Sequence, residues 1–285
     1  LRMSRGLGDV YKRQEIDENK CYNISNKNES GGYCMTVERL MDILKESKYT
    51  VVLSGNGMVL ESDYMLIRDS QESYDIEKKY RYSAEELFSS SLFSTRKELF
   101  YEFYRNEMLP QLEKPPGEGF YALAALEKKG LIDTVITRRV YHLPTRAGCK
   151  NVIELHGNIC EHYCPHCGEE YSLDYIRQSR RVPLCTKCNT ALRPRAVFYG
   201  EMVDNQVMTK AAEEVMRADV VLALGTNLKT TLCEQLLGYY GGNKLILITL
   251  KEHFSDKYAD GVIHDRVDQT LLKILCQSEN LHKLY

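Results

Sequence analysis

Four cysteines, arranged as Cys164-Pro-His-Cys167 and Cys185-Thr-Lys-Cys188, have the spacing in this chain best suited to chemistry. Each Cys-x-x-Cys unit puts two thiolates on one tight knuckle. The 17 residues between Cys167 and Cys185 fall inside the window of a zinc ribbon. Four thiolates close a tetrahedral shell and leave no position for water, so the expected zinc is structural. A redox pair is the competing reading of the same motif. His162 and His166 flank the first knuckle and are expected at the surface rather than as ligands. The other six cysteines, Cys21, Cys34, Cys149, Cys160, Cys233 and Cys276, are expected to be small, inert apolar residues.

A second group of residues sits where apolar runs end. Thr50-Val-Val-Leu-Ser54 runs into Gly55-Asn56-Gly57, and Asp219-Val-Val-Leu-Ala-Leu224 runs into Gly225-Thr226-Asn227. A strand leading through glycine into a helix lets backbone N–H groups approach a pyrophosphate. A Gly-x-Gly also occurs in ordinary turns, so spacing alone carries little here. His156 closes Asn151-Val-Ile-Glu-Leu155, a strand end where an imidazole near neutral pH suits acid–base work.

The elements that must position these residues are legible in outline. Thr36 is a plausible N-cap for a helix carrying Val37, Leu40, Met41 and Leu44 at helical spacing. Residues 60–112 read as a helical insertion rich in Tyr, Phe, Glu and Lys, with Leu99, Phe100, Phe103 and Tyr104 as a packing face. Pro115-Pro-Gly117 breaks the chain, and the next helix stops at Lys128-Lys129-Gly130. Strands are expected at 50–54, 133–137, 151–155, 196–199, 219–224 and 244–249, with a helix face at Met208, Ala211, Ala212, Val215 and Met216. Alternating strands and helices predict an α/β fold: a Rossmann-like, mostly parallel sheet with helices on both faces. Residues 36–159 and 194–285 form this nucleotide domain, and 160–193 form the small four-cysteine zinc-ribbon module.

Composition bounds the function. The 285 residues are 43% apolar and 27% charged, enough for a globular core. A net charge of −2 gives no basic surplus for a nucleic-acid or membrane surface. No apolar run reaches the roughly 18 residues that span a bilayer, and no secretory signal precedes the fold, so a cytoplasmic protein is expected. Residues 1–35 are expected to be a poorly ordered tail, and Leu1–Gln14 reads as a translated adaptor end.

Taken together, the motifs resemble the sirtuin family. Asn151-Val-Ile-Glu-Leu-His156-Gly-Asn158 followed by the cysteine quartet is similar to the centre of a sirtuin. Leu192-Arg-Pro-Arg-Ala-Val-Phe-Tyr-Gly200-Glu201 resembles the strand that pairs with an acyl-lysine peptide, and Arg146-Ala-Gly148 and Gly225-Thr226 match as well. The likeness runs over roughly residues 36–275, in the family's motif order. It implies an NAD-dependent lysine deacylase with His156 as general base on a ribose hydroxyl. Gly55, Gly57, Arg68, Arg138, Arg139, Gly225, Thr226 and Asn227 would lie against the cofactor, and Val197, Phe198, Tyr199 and Gly200 against the acylated protein or peptide.

Several loop positions depart from the family pattern. Gly-Ala-Gly-Ile-Ser is Gly55-Asn56-Gly57-Met58-Val59 here. Glu61-Ser62 is kept, but Gly-Ile-Pro-Asp-Phe-Arg becomes Asp63-Tyr64-Met65-Leu66-Ile67-Arg68. Gln-Asn-Ile-Asp-Gly-Leu-His becomes Arg138-Arg139-Val140-Tyr141-His142-Leu143-Pro144, so Arg139 and Tyr141 replace the Asn and Asp on the nicotinamide side. The usual Ser after Gly225-Thr226 is Asn227, and the later Ile-Asn is Ile248-Thr249. Two readings stand at this point. One is an active deacylase. The other is a degenerate sirtuin holding ADP-ribose or another anionic nucleotide, with Arg138 and Arg139 either on phosphate or in a solvated turn.

Overall fold

The computed structural model describes residues 34–67 and 70–281. Residues 1–33, with Cys21 among them, and Arg68 lie outside the described residues. Six strands form one parallel sheet: β1 (Thr50–Ser54), β2 (Thr134–Thr137), β3 (Val152–Glu154), β7 (Val220–Leu224), β8 (Leu245–Ile248) and β9 (Gly261–Ile263). Their spatial order is β3-β2-β1-β7-β8-β9. Helices cover both faces, which is why the strands are continuous apolar runs. Val52, Leu222 and Ile246 enter one core, while Val51, Leu53, Val221, Ala223 and Leu247 enter the other. The period of two along each strand separates the two layers.

The strand order reverses direction between β1 and β7. From β1 the chain builds outward through β2 and β3, then returns to lay β7 on the other side. Ser54 pairs with both Thr137 and Leu224, so the ends of β2, β1 and β7 stand side by side. That is the switch point at which open α/β sheets form a crevice.

A second sheet is antiparallel, in the order β5-β4-β6, from β4 (Gly157–Tyr163), β5 (Glu170–Tyr171) and β6 (Arg193–Ala196). The strand expected at 196–199 is shifted: residues 193–196 form it, and they pair with β4 rather than joining the parallel sheet. The cause lies at Gly157, which turns the chain out of β3 with φ +60°. There a Cβ would stand 2.0 Å from the Arg195 carbonyl oxygen. β9 also escapes the sequence pattern, since three residues are too short for a periodic signal. Its edge is met by Cys34, which bridges Val262, and by Met35, whose N–H donates to the Val262 carbonyl.

Residues 70–113 are helical: Ser70–Tyr80, Ala84–Leu87, Ser90–Thr95 and Lys97–Phe103, then a wide turn at Tyr104–Met108 and a tight one at Leu109–Glu113. Phe88, Phe93, Phe100, Tyr101 and Tyr104 make an aromatic core there. Phe198, just past β6, joins it with ring centroids 5.1 Å from Phe88 and 5.1 Å from Phe100. The Glu61 carboxylate accepts from the N–H groups of Val267 and Asp268, and so caps the last helix, Val267–Leu281. A negative charge at a helix N-terminus is favourable there.

Gly225 has φ +59°, and a Cβ on it would lie 2.7 Å from the Met58 nitrogen. Gly225→Ala should therefore destabilise the protein by about 2–4 kcal/mol, combining left-handed strain with overpacking. Urea unfolding measures this, and an unchanged midpoint would mean that the two glycine loops do not touch.

Candidate nucleotide crevice and four-cysteine metal centre

The crevice is framed by backbone. Gly55 N–H donates to the Leu224 carbonyl at 2.8 Å, Gly57 N–H to the Gly225 carbonyl at 2.7 Å, and Gly225 N–H to the Ile248 carbonyl at 2.8 Å. The loops after β1 and β7 are thus tied to each other and to β8. Thr226 and Thr230 hydroxyls lie 3.0 Å apart, and Asn227 Oδ1 accepts from Lys229 N–H at 2.9 Å. The Asn227 side chain therefore shapes its own turn.

His156 lies between β3 and β4, and its carbonyl accepts from Val197 N–H at 2.9 Å. Its Nε2 is approached by two donors of Arg138, Nε at 3.2 Å and Nη2 at 3.1 Å. A guanidinium has no acceptor, so Nε2 carries a lone pair. Burial, then the charges of Arg138 and Arg139, lower the pKa of His156 to about 4, while a hydrogen bond to the Arg138 backbone works in the opposite direction. Arg139 N–H donates to Thr137 Oγ1 at 3.1 Å, fixing the start of the loop.

The rest of that loop packs inward. Tyr141 and Tyr64 are both buried, with ring centroids 5.3 Å apart, and Met65 and Leu66 are buried beside them in the same core. Arg146 Nη1 donates to Tyr64 Oη at 2.9 Å, and its Nη2 to the carbonyls of Leu112 and Lys114. His142 adopts φ +61° and Asp63 φ +57°, both left-handed. His142 Nδ1 lies 2.8 Å from Glu154 Oε1, and Asn158 Nδ2 donates to Glu154 Oε2 at 3.0 Å. The sequence reading did not single out Tyr64 or Glu154. No local motif marks a side chain whose partner lies on another element.

Residues 197–200 stand beside His156 in the fold but use most of their own donors. Phe198 N–H donates to Glu201 Oε2 and Tyr199 N–H to the Phe88 carbonyl, while the Tyr199 carbonyl accepts from Ser90. Phe198 is buried, Val197 and Tyr199 are half-buried, and Gly200 is exposed. Arg193 holds Glu201 through two hydrogen bonds, at 3.0 and 2.9 Å, and its guanidinium lies 4.3 Å from the Phe198 ring centroid.

In the small module, the Sγ atoms of Cys164, Cys167, Cys185 and Cys188 all lie within 4.8 Å of one another. Three of the separations are 3.4, 3.5 and 3.8 Å. Thiolates 2.3 Å from a central zinc would be about 3.8 Å apart, so this donor set fits a tetrahedral ion. Tyr171 Oη and Lys187 N–H both donate to Cys185 Sγ, at 3.1 and 3.4 Å, which favours a thiolate. His166 is exposed, as expected, but His162 is not a surface residue. It points inward from β4 and its Nε2 lies 2.8 Å from Tyr104 Oη, which also donates to the Ile159 carbonyl.

The sequence pattern of the Sir2 family fits residues 55–231, from the first glycine loop through the cysteines to the loop after β7. The chain belongs to the Sir2 family. An NAD-dependent protein deacetylase of Thermotoga maritima is 36% identical over 223 residues, 76% of this chain and 88% of that one. Another, from Clostridium acetobutylicum, is 32% identical over 240 residues, 84% and 98% of the two chains. A solved Sir2 complex with a p53 peptide and NAD+ superposes with a TM-score of 0.72 at 33% identity, covering 86% of this chain and 99% of that one. A Sir2 bound to an acetylated peptide gives a TM-score of 0.73 at 31% identity, with the same coverage. Among the described residues of this Sir2-family chain, no helix is long and apolar enough to cross a membrane.

Zinc at the quartet contributes folding energy to the module. Cys164→Ser or Cys188→Ser should lose the metal and lower the melting temperature. Normal zinc content with unchanged melting would remove the cluster as a metal site.

Proposed function

We propose that this chain is an NAD-dependent protein deacetylase of the sirtuin type, moving an acyl group from a lysine of a protein or peptide to ADP-ribose. The observation that carries the reading is His156, standing with an unprotonated Nε2 at a strand end on the carboxyl side of the sheet, in a Sir2-family chain similar to NAD-dependent deacetylases over most of its length. When bound, NAD supplies an electrophilic ribose carbon and a nicotinamide leaving group. His156 would take a proton from a ribose hydroxyl, Gly55, Gly57, Gly225, Thr226 and Asn227 would hold the adenosine and pyrophosphate side, and Val197–Gly200 would hold the acyl peptide. Arg68 belongs to the same set by its place in the motif.

The fit to the cofactor differs between its two halves. On the adenosine side, Gly55, Gly57 and Gly225 hold the two loops against each other at the sheet edge, the place where α/β folds seat a nucleotide. His142 and Asp63 stand where the family motifs carry glycine and adopt left-handed backbone, which supports a conserved loop path with exchanged side chains. On the nicotinamide side, Tyr141 replaces the Asp that would pair with a carboxamide, and it is buried against Tyr64. An amide left without that acceptor loses about 1–3 kcal/mol. This supports a second reading, in which the chain is a divergent member with altered cofactor loops. It would then bind ADP-ribose or a related nucleotide, with Arg138 and Arg139 on phosphate, and turn NAD over slowly or not at all.

Calorimetric titration of the zinc-loaded protein with NAD and ADP-ribose, each alone, separates the two readings. NAD binding as tight as ADP-ribose binding, followed by turnover of an acetyl-lysine peptide, is the outcome expected of the deacetylase. ADP-ribose binding more than about tenfold tighter than NAD binding, a 1.4 kcal/mol preference, would favour the second reading.

Two further outcomes are expected of the active enzyme. His156→Ala should abolish deacetylation, and unchanged turnover would take His156 out of the mechanism. A base must be neutral to accept a proton, and the folded pKa near 4 lies below that of a free imidazole. The kcat/KM profile should therefore stay level from about pH 8 to about pH 5 and fall only nearer 4. An acid limb centred near 6.5 would mean that the ring is neither buried nor beside the two arginines.

A further inference from the structure

The contact between Arg138 and His156 goes beyond what a deacetylase requires. Arg138 donates from Nε at 3.2 Å and from Nη2 at 3.1 Å to the same ring nitrogen. Nε2 has one lone pair, and here it already accepts from a permanent cation. A base in that state has no free acceptor for a ribose hydroxyl.

The place of the contact in the fold supplies a way out. Arg138 directly follows Thr137, which pairs with Ser54, and Ser54 pairs with Leu224. The arginine therefore leaves the sheet on the same edge as the loops beginning at Gly55 and Gly225. A guanidinium binds an oxyanion through two parallel, charge-assisted hydrogen bonds, each roughly twice as strong as a neutral one. A neutral imidazole offers it one acceptor. A phosphate group brought to this edge would offer the arginine a second acceptor and an opposite charge, neither of which the imidazole has.

We propose that Arg138 is a positioning residue that latches His156 at rest and releases it to a phosphate-bearing ligand. Release frees the Nε2 lone pair and withdraws a positive charge from the ring, so ligand binding itself makes the histidine a stronger base. Among the described residues, the charged groups that act on His156 are Arg138 and Arg139, both on the loop after β2. From the β6 side, the Val197 backbone N–H meets its carbonyl. This inference rests on the assignment of His156 as the base, but its readout does not require turnover.

The test is the NMR titration of the His156 ring in the zinc-loaded protein, with and without saturating ADP-ribose. The wild-type midpoint should lie near 4 without ligand and rise by more than about one unit with it. Arg138→Gln should raise the ligand-free midpoint by a similar amount and leave ADP-ribose little further effect. Arg138→Lys keeps the charge without the fork and should fall between. An unchanged midpoint in Arg138→Gln, or an absent rise with ADP-ribose in the wild type, overturns the latch. The wild-type comparison stands even where a variant fails to fold. In an active enzyme, kcat should show its acid limb at higher pH than kcat/KM, since the two report bound and free enzyme. A responsive His156 with no deacetylation keeps the latch and removes the deacetylase. Normal deacetylation with an unresponsive His156 does the reverse.

Discussion

The structure depends on the contact between two backbones at the carboxyl edge of the parallel sheet. A Cβ on Gly57 would lie 2.7 Å from the Gly225 Cα, and the Gly57 N–H donates to the Gly225 carbonyl. Strands β1 and β7 can stand side by side only if their following loops pass this closely. That adjacency fixes the reversal of strand order, and the reversal opens the crevice. The loop after β2, with Arg138 and Arg139, is then the next neighbour along the edge, and His156 follows at the end of β3. Side chains far apart in sequence are brought together by strand register.

Within that frame, backbone and side chains diverge. Asp63 and His142 adopt left-handed conformations that glycine would take without strain. His142 is held by Glu154, and Glu154 in turn holds Asn158. Tyr64 is held by Arg146 and packs at a tilt against Tyr141. The described parts of these loops therefore carry contacts of their own.

What could be read from sequence follows from the range of the interactions. The cysteine quartet was legible because knuckle spacing is local. Five strands of the parallel sheet were legible because burial on both faces writes continuous apolar runs. β9 was too short to stand out, and the segment after Leu192 was placed in the wrong sheet, because a strand's partner is not written in its own residues. His162 read as surface because it adjoins a polar knuckle. The alternation of β4 turns it inward to Tyr104. The glycine loops were found as motifs, but the sequence held no sign that Arg138 would reach His156 or that Tyr64 and Tyr141 would pack together. Those contacts are set by side-chain direction across elements.

The buried face of β4 joins three parts of the molecule. Tyr104 reaches from the helical insertion to Ile159 and His162, Tyr101 donates to the Leu192 carbonyl, and Phe198 fills the aromatic core from beyond β6. The four-cysteine module therefore shares a buried face with the aromatic helices, and loss of its metal should raise amide exchange in those helices as well as at the cysteines.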